Sequence, residues 1–134
     1  AFILAEAAQR GINVGATATD YYKYAITSSF TESGIAPQAA AYLAAHPYDS
    51  ANWKQSIGEQ AYIALFGKAY PTWNFTRRLD VPVLVNPVSS LTTTVPLRMI
   101  YSDQEYVLNG TNVKAAAAEI GGDNVATKLF WDVN

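Results

Sequence analysis

The stretch DSANWKQSIGEQAYIALFG, residues 49–67, carries the strongest helical pattern in the sequence. Its apolar residues recur every three to four positions, as on the buried face of a helix: Trp53, Ile57, Ala61, Ala64 and Leu65. Asp49 or Ser50 suits the start of this helix as its cap, and Gly67 suits its end. The pattern therefore predicts a helix over about residues 51–66, the longest of the chain.

Weaker helical patterns lie on both sides of this stretch. Residues 1–10 predict a helix, and Thr17 is placed to cap the next one, with Asp20 in its first turn. Pro37 suits the first turn of a short Ala-rich helix, and Pro71 that of a helix after residue 67. Because short loops join these helices, we expect helical hairpins over residues 1–67.

The composition changes in residues 68–134, which predict a loop-rich part of the same single domain. Val81–Val95 is rich in Val, Thr, Ser and Pro, which favours a loop with short extended pieces. Ser102 and Glu105 have the spacing of a capping box, in which each side chain bonds the other's backbone amide. Two short helices are expected after Ser102, and Lys128–Trp131 predicts a short strand or an extended segment. The fold class is thus mainly α.

Composition excludes several classes of function. The chain has 134 residues, of which 50% are hydrophobic and 15% charged, with a net charge of −2. Nucleic-acid binding requires a basic patch, which the scattered Lys and Arg residues do not form. No cysteine is present, and neither a phosphate-binding loop nor a cluster of metal ligands occurs. We therefore expect no metal and no cofactor.

Evidence for catalysis is weak. His46, Asp49 and Ser50 lie close together in the sequence, which is compatible with a triad, but a helix connection with a capping pair explains them better. The acids Glu6 and Glu59 occur singly on predicted helices, so paired carboxylates are not indicated. The chain is therefore predicted not to be an enzyme.

Three aromatic residues are candidates for ligand contact because they lie in or beside connections: Tyr48, Tyr70 and Trp73. Exposed aromatic rings stack on sugars, although packing explains most aromatic residues of this chain.

Arginines beside aromatic residues form a second group of candidates. Arg77, Arg78 and Arg98 could bind an anionic or sugar ligand, but pairing with carboxylates is the favoured interpretation. Glu105 is expected to cap its own helix. All four residues are therefore predicted to be structural.

Several ordered motifs resemble those of one protein family. AEAAQRG at residues 5–11 and GATA at 15–18 precede the long helix, and Arg77-Arg78 follows it. PLRMIYSDQE, residues 96–105, then precedes Asn109. Together these resemble the C-terminal region of the SusD/RagB-like proteins of the Bacteroidota, although Ser102 stands where that family usually has Pro.

The resemblance implies a fragment of a larger, mainly helical SusD-like fold whose hairpins are tetratricopeptide-like. It further implies a surface lipoprotein of the outer membrane, lipid-anchored outside this chain. Such a protein binds a glycan or other nutrient and acts with a TonB-dependent, SusC-like transporter. Because the family's sugar-binding residues lie mostly upstream of the matching region, the resemblance assigns no binding residue here.

Two further expectations concern partners. A helical-repeat scaffold that binds proteins without binding glycans is the alternative function. The apolar residues within 1–35 should form an exposed patch or be buried against a second copy of the chain, while the Val81–Val95 loop covers the C-terminal helices.

Overall fold

The structure is a computed structural model that describes residues 1–90, 92 and 94–132. The chain forms two compact units, Ala1–Pro82 and Val83–Asn134, here called the first and second units. The first unit contains five α-helices and a 3-10 turn: α1 Phe2–Gln9, α2 Ala18–Glu32, the turn Ala36–Gln38, α3 Ala39–Ala45, α4 Trp53–Ala64 and α5 Ala69–Leu79. The second unit contains α6 Asp103–Leu108 and α7 Gly110–Glu119.

The predicted helical class is confirmed, but the predicted short strands are wrong for the part of the chain that the structure describes. Within Val81–Val95, Pro82 and Pro87 lack the amide hydrogen that a strand ladder needs. Leu91 and Thr93 of that segment lie outside the described residues. The expected strand at residues 128–131 is replaced by a turn, in which the Asp132 amide donates to the Leu129 carbonyl at 2.9 Å.

Helix lengths also differ from the prediction. The longest helix is α2, with 15 residues, whereas α4 has 12. Thr17 and Asp20 form the complete capping box that starts α2. Before α4, Asp49 instead accepts the amides of Ala51 and Asn52, at 2.9 and 3.3 Å. This side chain therefore holds a turn, and the helix begins only at Trp53.

One apolar core holds the first unit together. The buried residues of this cluster come from α1, α2, α4 and α5 and from Val81, which follows α5. They are Phe2, Ala5, Tyr22, Ala25, Ile26, Ile57, Ala61, Leu79 and Val81. Ile57 and Ala61 of the predicted apolar face are fully buried, whereas Trp53 is half-buried. The apolar face of α4 thus points to the core as expected, with its central residues buried most deeply.

A close approach occurs where Val81 packs on α4. A Cβ atom added at Gly58 would lie 2.6 Å from the Cβ of Val81, which is closer than two carbon atoms can pack. The absence of a side chain at position 58 therefore allows Val81 into the core.

The second unit has a smaller apolar interior. Among its described residues, the buried hydrophobic side chains are those of Val113 and Ala117 in α7. The capping prediction for α6 is partly wrong, since the Ser102 hydroxyl accepts the Gln104 amide at 3.1 Å rather than that of Glu105. The Glu105 amide donates to the Ser102 carbonyl at 3.0 Å, as in any first helical turn.

Exposed apolar side chains occur in both units. In residues 1–35 they include Ile3, Leu4, Ile12, Tyr24 and Ile35. Val83, Val85 and Val88 are also exposed, so these three side chains do not cover the C-terminal helices as expected. None of the described helices has the length and apolar character needed to cross a membrane. Self-association stays a prediction, which size-exclusion chromatography would test.

Candidate functional site

A polar cleft of about 400 Å³ lies between the α3–α4 connection and one face of α4. Its polar lining includes His46, Asp49, Asn52, Ser56, Glu59 and Gln60. Ser56 lies four residues after the N-cap residue Asn52, and Glu59 and Gln60 lie three and four residues after Ser56, so one side of α4 presents these side chains together. The adjacent side of the helix carries Ile57 and Ala61 into the core. One amphipathic helix therefore supplies both core contacts and cleft lining.

Tyr22 of α2 lines the base of the polar cleft. Only 2% of this residue is exposed, and its hydroxyl donates to the His46 carbonyl at 3.0 Å. Burial, followed by the nearby Tyr42 and Glu59, raises the pKa of Tyr22 to about 12. The phenol is therefore neutral at physiological pH and fixes the α3–α4 connection against α2.

Gln60 is the most buried polar side chain of the cleft, with 7% exposed. Its Oε1 accepts the Tyr42 hydroxyl at 3.0 Å. The amide nitrogen Nε2 donates to none of the residues that the structure describes. A buried carboxamide ordinarily uses both its oxygen and its nitrogen. Gln60 thus retains donor capacity inside the cleft, a feature that the sequence analysis missed.

His46, Asp49 and Ser50 do not form a triad-like chain of contacts. The His46 ring stacks on Tyr42 with centroids 4.1 Å apart, and its Nδ1 lies 3.0 Å from the Tyr42 carbonyl oxygen. Bonds from the Asn52 side chain and from the Ala51 and Asn52 amides lower the pKa of Asp49. The contacts of His46 and Asp49 therefore organise the connection between the helices.

Tyr48 lies outside the polar cleft and borders a second cleft of about 410 Å³, beside the loop after α1. Its hydroxyl donates to Gln9 Oε1 at 2.8 Å, and its ring centroid lies 5.2 Å from that of Tyr22. Tyr70 is 73% exposed at the start of α5, and Trp73 is half-buried one turn later. The structure therefore does not bring the three aromatic candidates into one cleft, and their ligand role stays a prediction.

Arg77 and Arg78 contact carboxylates of the first unit. Arg77 is buried, with its Nη1 3.5 Å from Asp80 Oδ1. Arg78 pairs with Glu6 and lies over the Phe75 ring at 4.7 Å. These contacts are compatible with the predicted structural roles.

In the sequence Glu6 occurs alone on its predicted helix, but in the structure its carboxylate forms ion pairs with two arginines. Its carboxylate pairs with Arg78 from α5 and with the Arg10 Nε at 3.0 Å. Only 4% of Glu6 is exposed. The pairing joins residues that are 72 positions apart, which no local spacing rule could reveal.

Arg98 pairs with Asp123 in the second unit, with 2.6 Å between Nη1 and Oδ1. The Asp123 carboxylate also accepts the Tyr101 amide at 3.1 Å and the Tyr106 hydroxyl at 2.8 Å. Burial opposes ionisation, but the bonds from Tyr106, Tyr101 and Arg98 outweigh it and lower the pKa of Asp123. We call this group the Asp123 hub. Glu105, which was expected to be structural, is exposed outside it.

Among residues 1–90, 92 and 94–132, no group of three or more His, Asp and Glu side chains could hold a metal ion. The carboxylates of Glu6, Asp49, Asp80 and Asp123 instead serve a local turn or an ion pair. The arrangement suits recognition through hydrogen bonds, and the polar cleft brings several donors and acceptors together.

Comparison with known proteins matches residues 1–102 to the family SusD-like_2, described as "Starch-binding associating with outer membrane". No curated protein matches the sequence. A solved structure of a "chitin-binding protein" is 28% identical with a TM-score of 0.82, covering 99% of this chain and 32% of that chain. A second, "Bacteroidetes AC2a SusD-like", is 26% identical with a TM-score of 0.83, covering 99% of this chain and 29% of that chain.

The present chain therefore spans about 30% of the length of either solved structure. Both structures reproduce nearly all of its helical arrangement. The family match covers well over half of the sequence and includes every helix of the first unit. The chain belongs to the SusD-like family.

Proposed function

We propose that this chain is part of a non-catalytic glycan-binding protein at the outer-membrane surface, where it acts with a TonB-dependent transporter. The family match over residues 1–102 carries the proposal, because the family is described as starch-binding and associated with the outer membrane. A similar structure that is named a chitin-binding protein gives independent support for a polysaccharide ligand. A lipid anchor in the full-length protein follows from the same family resemblance.

The geometry of the first unit supports binding rather than catalysis. The polar cleft presents amides, hydroxyls and carboxylates, which are the groups that recognise sugar hydroxyls. Its titratable residues His46 and Asp49 are held by contacts with Tyr42 and with residues 51–52. Glycoside hydrolysis ordinarily uses a pair of facing carboxylates, and of the two carboxylates in the cleft Asp49 is already engaged in a turn. These contacts favour a passive binding site.

Calorimetry on the full chain tests glycan binding directly. The probes are maltohexaose and N-acetylchitohexaose, which represent the starch and chitin classes. We expect binding of at least one probe and no change in oligosaccharide length after prolonged incubation. Shortened oligosaccharides, or the loss of such turnover in His46→Ala, would contradict the non-catalytic proposal.

Transporter partnership requires a separate test in the membrane. Photocrosslinkers placed on exposed positions of the full-length protein should capture a large outer-membrane barrel protein in intact cells. Recovery of the protein without such a partner, from cells that grow on the bound glycan, would contradict this part of the proposal.

A protein-binding scaffold is the second candidate function, and one observation favours it. A smaller cavity of about 200 Å³ on the other side of Gln60 is lined mainly by apolar residues, including Ile26, Phe30, Ile35 and Ile63. A hydrophobic side chain from a partner would fit such a cavity better than a sugar would. Binding of a peptide in the absence of any glycan binding would favour the scaffold.

A further inference from the structure

We propose that the polar cleft is a sugar-binding subsite that prefers uncharged oligosaccharides. This inference rests on the proposed glycan-binding function and assigns it a location and a ligand charge. Three features of the cleft carry it: a donor on a fixed side chain, an oriented acceptor and the sign of the lining charge.

The donor is the amide nitrogen of Gln60. Only 7% of the residue is exposed, so a ligand in the cleft would exclude water from this nitrogen, which is then costly to leave without a partner. Tyr42 occupies Oε1, whereas Nε2 donates to none of the described residues. A sugar hydroxyl or an N-acetyl oxygen in the cleft would accept this bond. The Tyr42 contact fixes the carboxamide in advance, which reduces the entropy lost on binding.

The acceptor is the carboxylate of Glu59, the neighbouring residue on α4. Its Oε1 accepts the Gln55 side chain one turn earlier, which orients the group along the cleft. The other oxygen, Oε2, accepts from no residue in the described parts of the chain. A carboxylate oxygen can accept hydroxyl groups in short, charge-assisted hydrogen bonds. Glu59 and Gln60 therefore offer an acceptor and a donor on adjacent residues.

The lining charge determines which sugars can enter. Asp49 and Glu59 contribute two carboxylates, and the described lining contains neither Lys nor Arg. Uronic acids and sulfated sugars would bring a further negative charge close to these groups, and like charges repel. Hexoses and N-acetylhexosamines carry hydroxyl and amide groups without charge. The cleft volume of about 400 Å³ lies within the usual range for small-molecule sites.

Nuclear magnetic resonance of the ¹⁵N-labelled full chain tests the location. The probes are maltohexaose, N-acetylchitohexaose and an oligogalacturonate of the same length. We expect at least one uncharged probe to shift the side-chain amide signals of Gln60 and the backbone signals of residues 56–60. The oligogalacturonate should leave them unchanged.

Two substitutions test the assigned groups. Glu59→Gln removes the charge at an exposed position and should weaken binding of the uncharged probe about tenfold, as expected for a lost charge-assisted bond. Gln60→Met removes the amide at similar size and should weaken binding to a similar extent. Glu119→Gln, an exposed change in α7, is the matched control and should bind as the unaltered chain does.

The possible results distinguish failure of the proposed subsite from failure of the proposed glycan-binding function. Binding with shifts elsewhere, and with full affinity in Glu59→Gln, would overturn the subsite but leave glycan binding intact. Stronger binding of the oligogalacturonate would overturn the charge preference. No binding of any probe by the folded chain would overturn the subsite, and no binding by the full-length protein would overturn the proposed function as well. Circular dichroism of each variant confirms folding, and Glu59→Gln suffices alone if Gln60→Met does not fold.

Discussion

The two units of the chain are stabilised by different kinds of interaction. In the first unit, buried side chains from four helices and from Val81 form one apolar cluster. In the described part of the second unit, the buried hydrophobic residues are Val113 and Ala117, beside the buried polar residues Arg98 and Asp132. The Asp123 hub supplies long-range contacts there, since it joins residues 98, 101 and 106 to residue 123, and the neighbouring Leu97 amide donates to the Val125 carbonyl at 2.7 Å.

This difference predicts which substitutions and which changes of pH each unit should tolerate. Apolar packing depends on volume and is largely independent of pH, so the first unit should respond to cavities. An ion pair with hydrogen bonds depends on the charge of its members, so the second unit should respond to acid and to truncation of Arg98. Because a chain of two compact units need not unfold in a single step, each measurement below needs a probe within its own unit.

The largest effect should come from Ile57→Ala. Ile57 is fully buried in the first unit, and its truncation should lower the free energy of unfolding by about 2–5 kcal/mol. Urea denaturation followed by the amide resonance of Ala61, within the first unit, measures the loss. The matched control is Ile63→Ala on the same helix, where the side chain is 57% exposed and the change should be small. Equal losses in both variants would contradict the assigned core.

Truncation of Arg98 should have the next largest effect and should be confined to the second unit. Arg98→Ala leaves the Asp123 carboxylate without its cation and should destabilise that unit by about 1–3 kcal/mol. Hydrogen exchange at the Val113 amide measures it. Lys68→Ala breaks the exposed Lys68–Glu32 pair and should change stability by less than about 1 kcal/mol. If Arg98→Ala is stable but has lost glycan binding, Arg98 is a ligand contact instead.

Lowering the pH should reproduce part of the destabilisation that Arg98→Ala causes in the second unit. Because the pKa of Asp123 is lowered in the folded state, ionisation stabilises the fold above the ordinary aspartate value of about 3.9. That contribution is lost as the pH falls through the folded-state value. Chemical shifts of Val113 and Ile57 followed from pH 7 to pH 2 should show the second unit changing first. In Asp123→Asn the difference between the units should shrink, and an unchanged difference would contradict the role of the hub.

The smallest effect should come from Tyr48→Phe. The change removes the hydrogen bond to Gln9 but keeps the ring beside Tyr22, so the first unit should lose about 1 kcal/mol. Urea denaturation of the variant measures this loss. Affinity for maltohexaose or N-acetylchitohexaose should not change. Weaker binding with unchanged stability would instead make Tyr48 a ligand-binding residue, as its place beside the second cleft allows.

Local signals predicted much of this structure. The apolar spacing around Ile57 and the cap at Thr17 correctly indicated α4 and α2, because both depend on residues within two turns. The boundary of α4 was displaced because Asp49 could cap either a helix or a turn, and the structure uses it for a turn. The predicted strands do not form in the described part of Val81–Val95, where prolines lack the amide hydrogen that a strand ladder needs.

The site residues were harder to predict because their partners are distant in sequence. Glu6 meets Arg78 across 72 positions, and Arg98 meets Asp123 across 25. Gln60 is recognisable only after folding shows that its amide is buried and that Tyr42 occupies its oxygen. Spacing rules describe one helix at a time, whereas these contacts depend on how separate segments meet.

The contact between Gly58 and Val81 has a consequence for how this sequence can change during evolution. Alanine favours helices more than glycine does, so drift at an exposed position of α4 would readily replace glycine. At position 58 any larger residue displaces Val81, and the gain in helix propensity is smaller than the cost of overpacking. Homologues that carry a larger residue at 58 should therefore show a compensating change at 81 or a shifted path after α5. Positions 58 and 81 should therefore covary among homologues.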